Sequence, residues 1–352
     1  MLRVRKNIDI LIISVHPTLE FDEIMLFQEM GHRVCSLGFY FDSDYNELRP
    51  NPFLKVNKQW LDNVSMVFHR SGCKMSEGPD SWIISKEFCD LFDIIIVHHN
   101  FRFIESNWDV LRNKKVIWRT VGQELHWAEN AMRKYREDGV YIVRWSNEEQ
   151  DIPGYCGCDM VIHACKKETD FIDWIGDDES VITFNNNFVQ RKKALNYDFY
   201  IKSLGDNIPR KLFGLNNLGV PGNLGVISYS EQLKVLGNGR VSFVTGTYPA
   251  PYTLGFVECW MSGIPVVHVG RSVFSLAGDV VTFEIDKLII NGVNGILVNT
   301  EKEAQKTLSL LLNDFDMAKE LSVNGRKSAI KEFGVEQAKA KWEELFDIIC
   351  IN

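Results

Sequence analysis

Residues 8–38 read as strand, helix, strand, and that order restricts the fold more than any other feature of the chain. Ile8–Val15 is an apolar run interrupted by Asp9. Phe21–Gly31 carries apolar side chains at 21, 24, 25, 27 and 30, which is helical spacing, and Gly31 stops it. Arg33–Gly38 reads as the second strand. A β-α-β unit of about 30 residues predicts a parallel, doubly wound sheet. The alternation continues with strands at Ile94–Val97, Lys115–Thr120, Tyr141–Trp145 and Asp159–His163, and a short one at Val64–His69. Helices fit Ser81–Asp90, Asn107–Arg112, Trp127–Gly139 and Lys166–Ile175.

The same order restarts near Ser180. Val181–Phe188, Lys211–Leu215 and Arg240–Thr245 read as strands, and Tyr197–Leu204 and Ser228–Leu236 as helices. Ser228 with Glu231 has capping-box spacing. Leu254–Ser262 is an amphipathic helix handed directly into the apolar run Ile264–Val269. Asn291–Val298 turns on two glycines, and Glu301–Asn313, Phe315–Phe333 and Glu336–Ile349 are helices. A single core stops growing near 250–300 residues, and this chain has 352. The expected organisation is two Rossmann-like α/β domains, 1–178 and 179–335. The short linker is at Gly176–Glu179, and a last helix, 336–352, packs back toward the first domain.

Composition removes several classes. No apolar run approaches the ~18 residues that span a bilayer. The apolar run after Met1–Asn7 ends at His16-Pro17 without a cleavage site, so it reads as a strand and not a signal peptide. A cytoplasmic location is expected, with peripheral membrane contact left open. The net charge of −8 is unfavourable for a protein that neutralises a nucleic-acid backbone, although a local basic cleft is compatible with it. Of eight cysteines, Cys156-Gly-Cys158 with Cys165 and His163 is half of a zinc pattern that lacks its second pair. No metal is expected, and free thiols are. No Walker loop, Gly-x-Gly-x-x-Gly after the first strand, or Gly-x-Ser-x-Gly is present.

In open α/β sheets ligands bind beyond the carboxyl ends of the strands. The first half places His16, His98, His99, Gln123 and Glu124 there, a set suited to acid/base work. His98 and His99 are consecutive, so at most one faces a ligand. In the second half, Arg191, Lys192 and Lys193 follow a strand and suit a diphosphate, or make a solvated turn. Asn185–Asn187 beside them supply amide donors or simply the turn. Gly214 follows another strand. Tyr252, Thr253 and Leu254 open a helix whose free N–H groups attract an anion, with Thr253 an equally good N-cap. Glu258, one turn on, is a carboxylate among Phe256, Val257, Cys259 and Trp260. It lies on an open face or meets a ligand such as a ribose, because an unpaired buried charge is costly. Asp42-Ser43-Asp44 reads as a solvated acidic turn.

The stretch YTLGFVECWMSGIPVV, followed by INGVNGILVNTEKEAQKTLSLLLND, resembles the C-terminal signature of GT-B glycosyltransferases. The likeness is greatest to the large retaining family related to sucrose and glycogen synthases (glycosyltransferase family 4-like). It covers about residues 180–345, and the first half matches in layout. The resemblance implies a GT-B fold, with parallel sheets facing across a cleft. It implies a nucleotide-sugar donor, UDP-sugar in preference to GDP-sugar, and no metal or other cofactor. It assigns Glu258 to the ribose, Tyr252–Leu254 to the phosphates, Arg191 and Lys193 to the diphosphate, and His98 or His99 to the sugar. The family's other acid would lie eight positions before Glu258, where this chain has Ala250, which leaves stereochemistry open.

The forms TYPAPYTLGF and WRTVGQE also resemble glycosyltransferases of tailed phages, some of which glucosylate hydroxymethylated cytosine in DNA. The implied acceptor is a glycan, a lipid-linked glycan or a hydroxymethylated pyrimidine, entering over His16, His98 and Glu124. Glu124 would serve as base if the reaction inverts. Two rival readings keep the fold: a non-catalytic nucleotide-sugar or glycan binding module, and a non-hydrolysing sugar-nucleotide epimerase.

Overall fold

The computed structural model describes residues 7–41, 49–53, 58–75, 81–123, 126–278 and 282–351. They form two compact units, one of residues 1–162 with 339–352 and one of residues 163–338. Each holds a six-stranded parallel sheet among the described residues. No helix among them is long and apolar enough to cross a membrane.

The first sheet comprises β1 (Asp9–Ile13), β2 (Arg33–Leu37), β3 (Ile94–His98), β4 (Lys115–Arg119), β5 (Tyr141–Arg144) and β6 (Met160–Val161). Their order is β2-β1-β3-β4-β5-β6. β3 is buried along its whole length, as expected of a central parallel strand whose faces are both covered by helices. The chain winds outward in opposite directions from β1 and β3, so the topological switch point lies between their carboxyl ends. Helix α1 (Pro17–Glu29) starts there, with Pro17 in its first turn, where the missing N–H is no loss.

Three local expectations are corrected. Val64–His69 belongs to helix α2 (Lys58–Arg70), whose inward stripe is Val64, Val67 and Phe68; a six-residue stretch with two valines, taken alone, hid the helical period. The helix expected at Ser81–Asp90 shrinks to α3 (Lys86–Cys89), capped by Ser85. No α-helix forms over Lys166–Ile175, only a 3₁₀ turn at Glu168–Asp170. That segment is instead tied to the second unit: Lys166 N donates to Phe333 O (2.8 Å) and Ile175 N to Gly237 O (2.8 Å). The second compact unit accordingly begins at His163, and Asp178 and Glu179 open a strand. Helix α4 (Phe101–Ser106) and α5 (Trp108–Leu111) follow β3, and α6 (His126–Glu137) follows β4.

The second sheet has the order β12-β11-β10-β7-β8-β9. Its strands are β7 (Asp178–Phe184), β8 (Arg210–Phe213), β9 (Asn223–Gly225), β10 (Gly239–Val244), β11 (Val266–Val269) and β12 (Ile296–Val298). Here the switch point lies between β7 and β10. Helices α7 (Tyr197–Leu204) and α8 (Tyr229–Asn238) flank them, and α9 (Leu254–Ser262) follows β10. The capping box Ser228/Glu231 is present. Short helices α10 (Arg271–Phe274) and α11 (Ile285–Leu288) precede the long α12 (Glu301–Asn313), α13 (Phe315–Phe333) and α14 (Val335–Ile351). From Lys339 on, α14 counts with the first unit, where Trp342 and Phe346 pack on Phe27 at ring distances of 5.0 and 5.7 Å.

One buried carboxyl gives the first unit a pH signature. Glu20 of α1 accepts from Ser36 Oγ (2.7 Å) and Phe39 N (3.0 Å), tying the helix to the turn after β2. Burial is the largest influence on it and outweighs these bonds, pushing its pKa up to about 7. The folded pKa lies above the unfolded one, so its stabilising contribution is complete below pH ~4.5 and is lost as pH rises toward ~7. The expected difference is about 3 kcal/mol across that window. Urea denaturation of Glu20→Gln at pH 5 and pH 8 checks it: the variant should lack this part of the pH dependence.

Candidate functional site

The switch point of the first unit gathers the sequence-predicted histidines but separates their roles. His98, the last residue of β3, is completely buried. Its Nδ1 lies 3.0 Å from Ser14 Oγ and its Nε2 2.8 Å from Glu23 Oε2. Glu23, from α1, also accepts from Arg119 Nε (3.0 Å). Burial acts first and works to raise the Glu23 carboxyl. The charges and hydrogen bonds of Arg119 and His98 outweigh it and hold the group below the ordinary carboxylate range. Assigning His98 to the reacting sugar is therefore corrected: both its nitrogens serve this buried network. The network positions the loop above it, since Ser14 Oγ also accepts from His16 N (3.1 Å).

His99 and His16 are the half-buried pair at that edge. Their rings meet edge to face at 5.8 Å. His99 has φ of 60°, a left-handed conformation uncommon for a residue with a side chain. Its carbonyl is held by Trp118 Nε1 (2.9 Å) and Phe101 N (2.8 Å), which fixes this conformation. Glu124 and the Asp42-Ser43-Asp44 turn lie outside the described residues.

The switch point of the second unit is built from two interlocked loops. The turn after β7 is held to the loop after β10 by Tyr248 N donating to Ala194 O (2.8 Å) and Asn196 Nδ2 to Thr245 O (2.9 Å). This brings the exposed Arg191, Lys192 and Lys193 to the same end as the start of α9. The asparagines are structural. Asn217 Nδ2 donates to Asn185 O (2.6 Å), Phe188 N to Asn217 Oδ1 (3.0 Å), and Leu215 N to Asn186 Oδ1 (2.7 Å). Gly214 permits that crossing: it has φ of 132°, and a Cβ there would stand 2.0 Å from Asn185 O. Gly214→Ala is accordingly expected to disturb both loops, with a loss of about 2–4 kcal/mol measured by thermal unfolding.

Thr253 caps α9, its side chain accepting from Phe256 N (3.1 Å). The N–H groups of Leu254 and Gly255 have no hydrogen-bond partner among the described residues. They form the anion-attracting end expected of a helix start. Tyr252 is buried, and its hydroxyl accepts from Ala164 N (3.0 Å), so its phenol is turned into the unit.

Glu258 does not lie on an open face. Lys166 Nζ donates to Oε1 (2.7 Å) and Gln232 Nε2 to Oε2 (2.6 Å), and both charged groups of the Lys166–Glu258 pair are buried. Lys166 and Gln232 were not legible in the sequence, because Lys166 comes from the connection into the second unit, 92 residues away. Glu284 is another buried carboxylate of this unit: its N–H donates to Pro251 O (3.1 Å) and its Oε1 faces His163 Nε2 (3.1 Å). His268 of β11 donates from Nδ1 to Val269 O (2.7 Å), and burial lowers its pKa to about 4, so it is neutral near pH 7.

Cys156 and Cys158 belong to the first unit, and His163 and Cys165 to the second. Among the described residues no group of three or more His, Cys, Asp or Glu could hold a metal ion. All eight cysteines are free thiols, and burial raises Cys156 to about 12.

No family model matches the chain, and no curated protein matches significantly. Solved structures do. HepE of Anabaena, crystallised with UDP-glucose, is 13% identical with a TM-score of 0.64, over 97% of this chain and 100% of HepE. A glycosyltransferase of Rickettsia africae is 12% identical with a TM-score of 0.62, over 99% and 100%. AviGT4, a glycosyltransferase involved in avilamycin A biosynthesis, is 12% identical with a TM-score of 0.57, over 97% and 98%. This is the GT-B fold. At such identities the likeness establishes architecture, and chemistry has to be argued from this chain's own residues.

Proposed function

We propose that the protein is a glycosyltransferase that takes a sugar from a nucleoside-diphosphate sugar, UDP-sugar in preference to GDP-sugar, to an acceptor hydroxyl. The observation that carries this reading is the second unit's switch point. Three exposed cations and the N–H groups at the start of α9 stand at one end of the sheet, on loops joined by the Tyr248–Ala194 backbone bond and the Asn196 amide. That is the chemistry a diphosphate requires. HepE, which shares the architecture over its full length, holds UDP-glucose.

In this reading Arg191, Lys193 and the backbone at Thr253–Gly255 hold the diphosphate. They stabilise the charge that grows on it as the bond to the anomeric carbon breaks, a preorganised electrostatic role. Glu258, held in place by Lys166 and Gln232, accepts from the ribose hydroxyls. The acceptor oxygen bonds to the anomeric carbon, and His99 or His16 is the candidate to take its proton. Neither a metal nor another cofactor enters the reading. A family 4-like kinship is part of the proposal and rests on the helix-to-strand signature around Glu258.

The test is incubation with UDP-glucose, UDP-N-acetylglucosamine, UDP-galactose and GDP-mannose, with release of the nucleoside diphosphate followed. Release from a UDP-sugar supports transfer. Binding without release would favour a non-catalytic module, and interconversion of the sugar nucleotide without release would favour an epimerase.

A further inference from the structure

Four aromatic rings run along the carboxyl edge of the first sheet in strand order. His16 follows β1, His99 follows β3, Phe101 opens α4, and Trp127 lies in the first turn of α6, after β4. His16 and His99 meet at 5.8 Å, and Phe101 and Trp127 at 5.2 Å. The two pairs are joined by the backbone bond from Phe101 N to His99 O. Trp127 is 45% exposed, whereas the other eight tryptophans are buried or half-buried. The Arg102 guanidinium stands 5.7 Å from the Trp127 ring centroid. An indole left in water beside a guanidinium, with a buried phenyl ring behind it, is the composition of a binding hot spot.

We propose that Trp127 is the platform on which a sugar ring of the acceptor stacks, with Arg102 donating to the oxygens at that ring's rim. A pyranose presents one face of C–H groups and an edge of hydroxyls. The indole answers the face, and the planar guanidinium beside it answers the edge. This inference rests on the glycosyl-transfer reading and names its acceptor class: a saccharide, bound by the first unit beside His99. A nucleobase would also stack on an indole, but affinity for its strand requires cations along several phosphates. Among the described residues the ring row carries one guanidinium, that of Arg102, in a chain whose net charge is −8.

The test pairs a glycan array with calorimetry. Labelled wild-type protein should be captured by one class of saccharide. Trp127→Ala should weaken that binding roughly tenfold or more, and Trp127→Phe should retain most of it. Trp127 is at the surface, so both variants should fold, and their UDP affinity should equal that of the wild type. Capture of no saccharide, equal capture by Trp127→Ala, or binding of single-stranded oligothymidine in place of any glycan would overturn the inference. Failure of the wild type to bind UDP strikes instead at the donor reading, so the two failures are distinguishable.

Discussion

Glu258→Ala is expected to lower the melting temperature of the second unit by roughly 6–20 °C. The variant takes its carboxylate from the buried Lys166, and breaking a buried pair from one side costs about 3–5 kcal/mol. For a unit of this size each kcal/mol corresponds to about 2–4 °C. Gln232 also loses the acceptor of its amide. Removing both charges by Lys166→Met with Glu258→Leu should recover most of the loss, because a packed apolar pair of similar volume is often as stable as a buried ion pair. Scanning calorimetry of the three variants checks this. A fall under about 2 °C for Glu258→Ala would show that Lys166 finds water or another partner, contrary to the packing described.

Glu23→Ala should have an effect of similar size on the first unit. It removes the carboxylate from Arg119 and His98, both with no exposed surface. The expected cost is about 3–5 kcal/mol near pH 7. The pH dependence has a definite sign. Glu23 is held below its ordinary pKa, so its contribution is present above the unfolded value of about 4.5 and is lost as pH falls through the folded one. The variant should therefore lose part of the wild type's acid sensitivity. Glu20→Gln acts in the opposite direction, removing a loss of stability between pH ~4.5 and ~7. Urea titrations from pH 3 to 8 separate the two carboxyls, which lie three residues apart on one helix.

Most of the fold was legible because parallel strands buried on both faces write continuous apolar runs. Ile94–Ile96 with Val97, and Val266–Val267, are of that kind. Helix α9 follows its sequence pattern to the residue, from a threonine N-cap to a glycine stop. The α2 segment misled because Val64, Val67 and Phe68 sit at helical spacing inside a run short enough to pass for a strand. The 163–177 segment misled for a different reason. Its apolar residues, Phe171 and Trp174 among them, anchor an extended connection, with Trp174 stacked on Phe315 at 5.6 Å.

The candidate site was legible as positions more than as roles. Strand ends locate His16, His98, His99, Arg191 and Gly214 correctly at the carboxyl edges, since that follows from element order alone. What a side chain does there depends on partners remote in sequence. His98 is taken by Glu23, 75 residues away, and Glu258 by Lys166, 92 residues away. No local pattern announces either pairing. Trp127 was read as the start of a helix, and its exposure beside Arg102 emerges only when α4 and α6 are packed on the same sheet.

Calorimetric titration of UDP into the wild type and into Arg191→Glu with Lys193→Glu tests the central claim most directly. Both residues are on the surface, so the double variant should fold with an unchanged melting temperature. The account predicts that the wild type binds UDP and that reversing these two charges weakens binding by at least about a hundredfold, the loss of two charge-assisted contacts. Equal UDP affinity in the two proteins, or no binding by the wild type, would contradict the assignment of the second unit's switch point to the donor diphosphate.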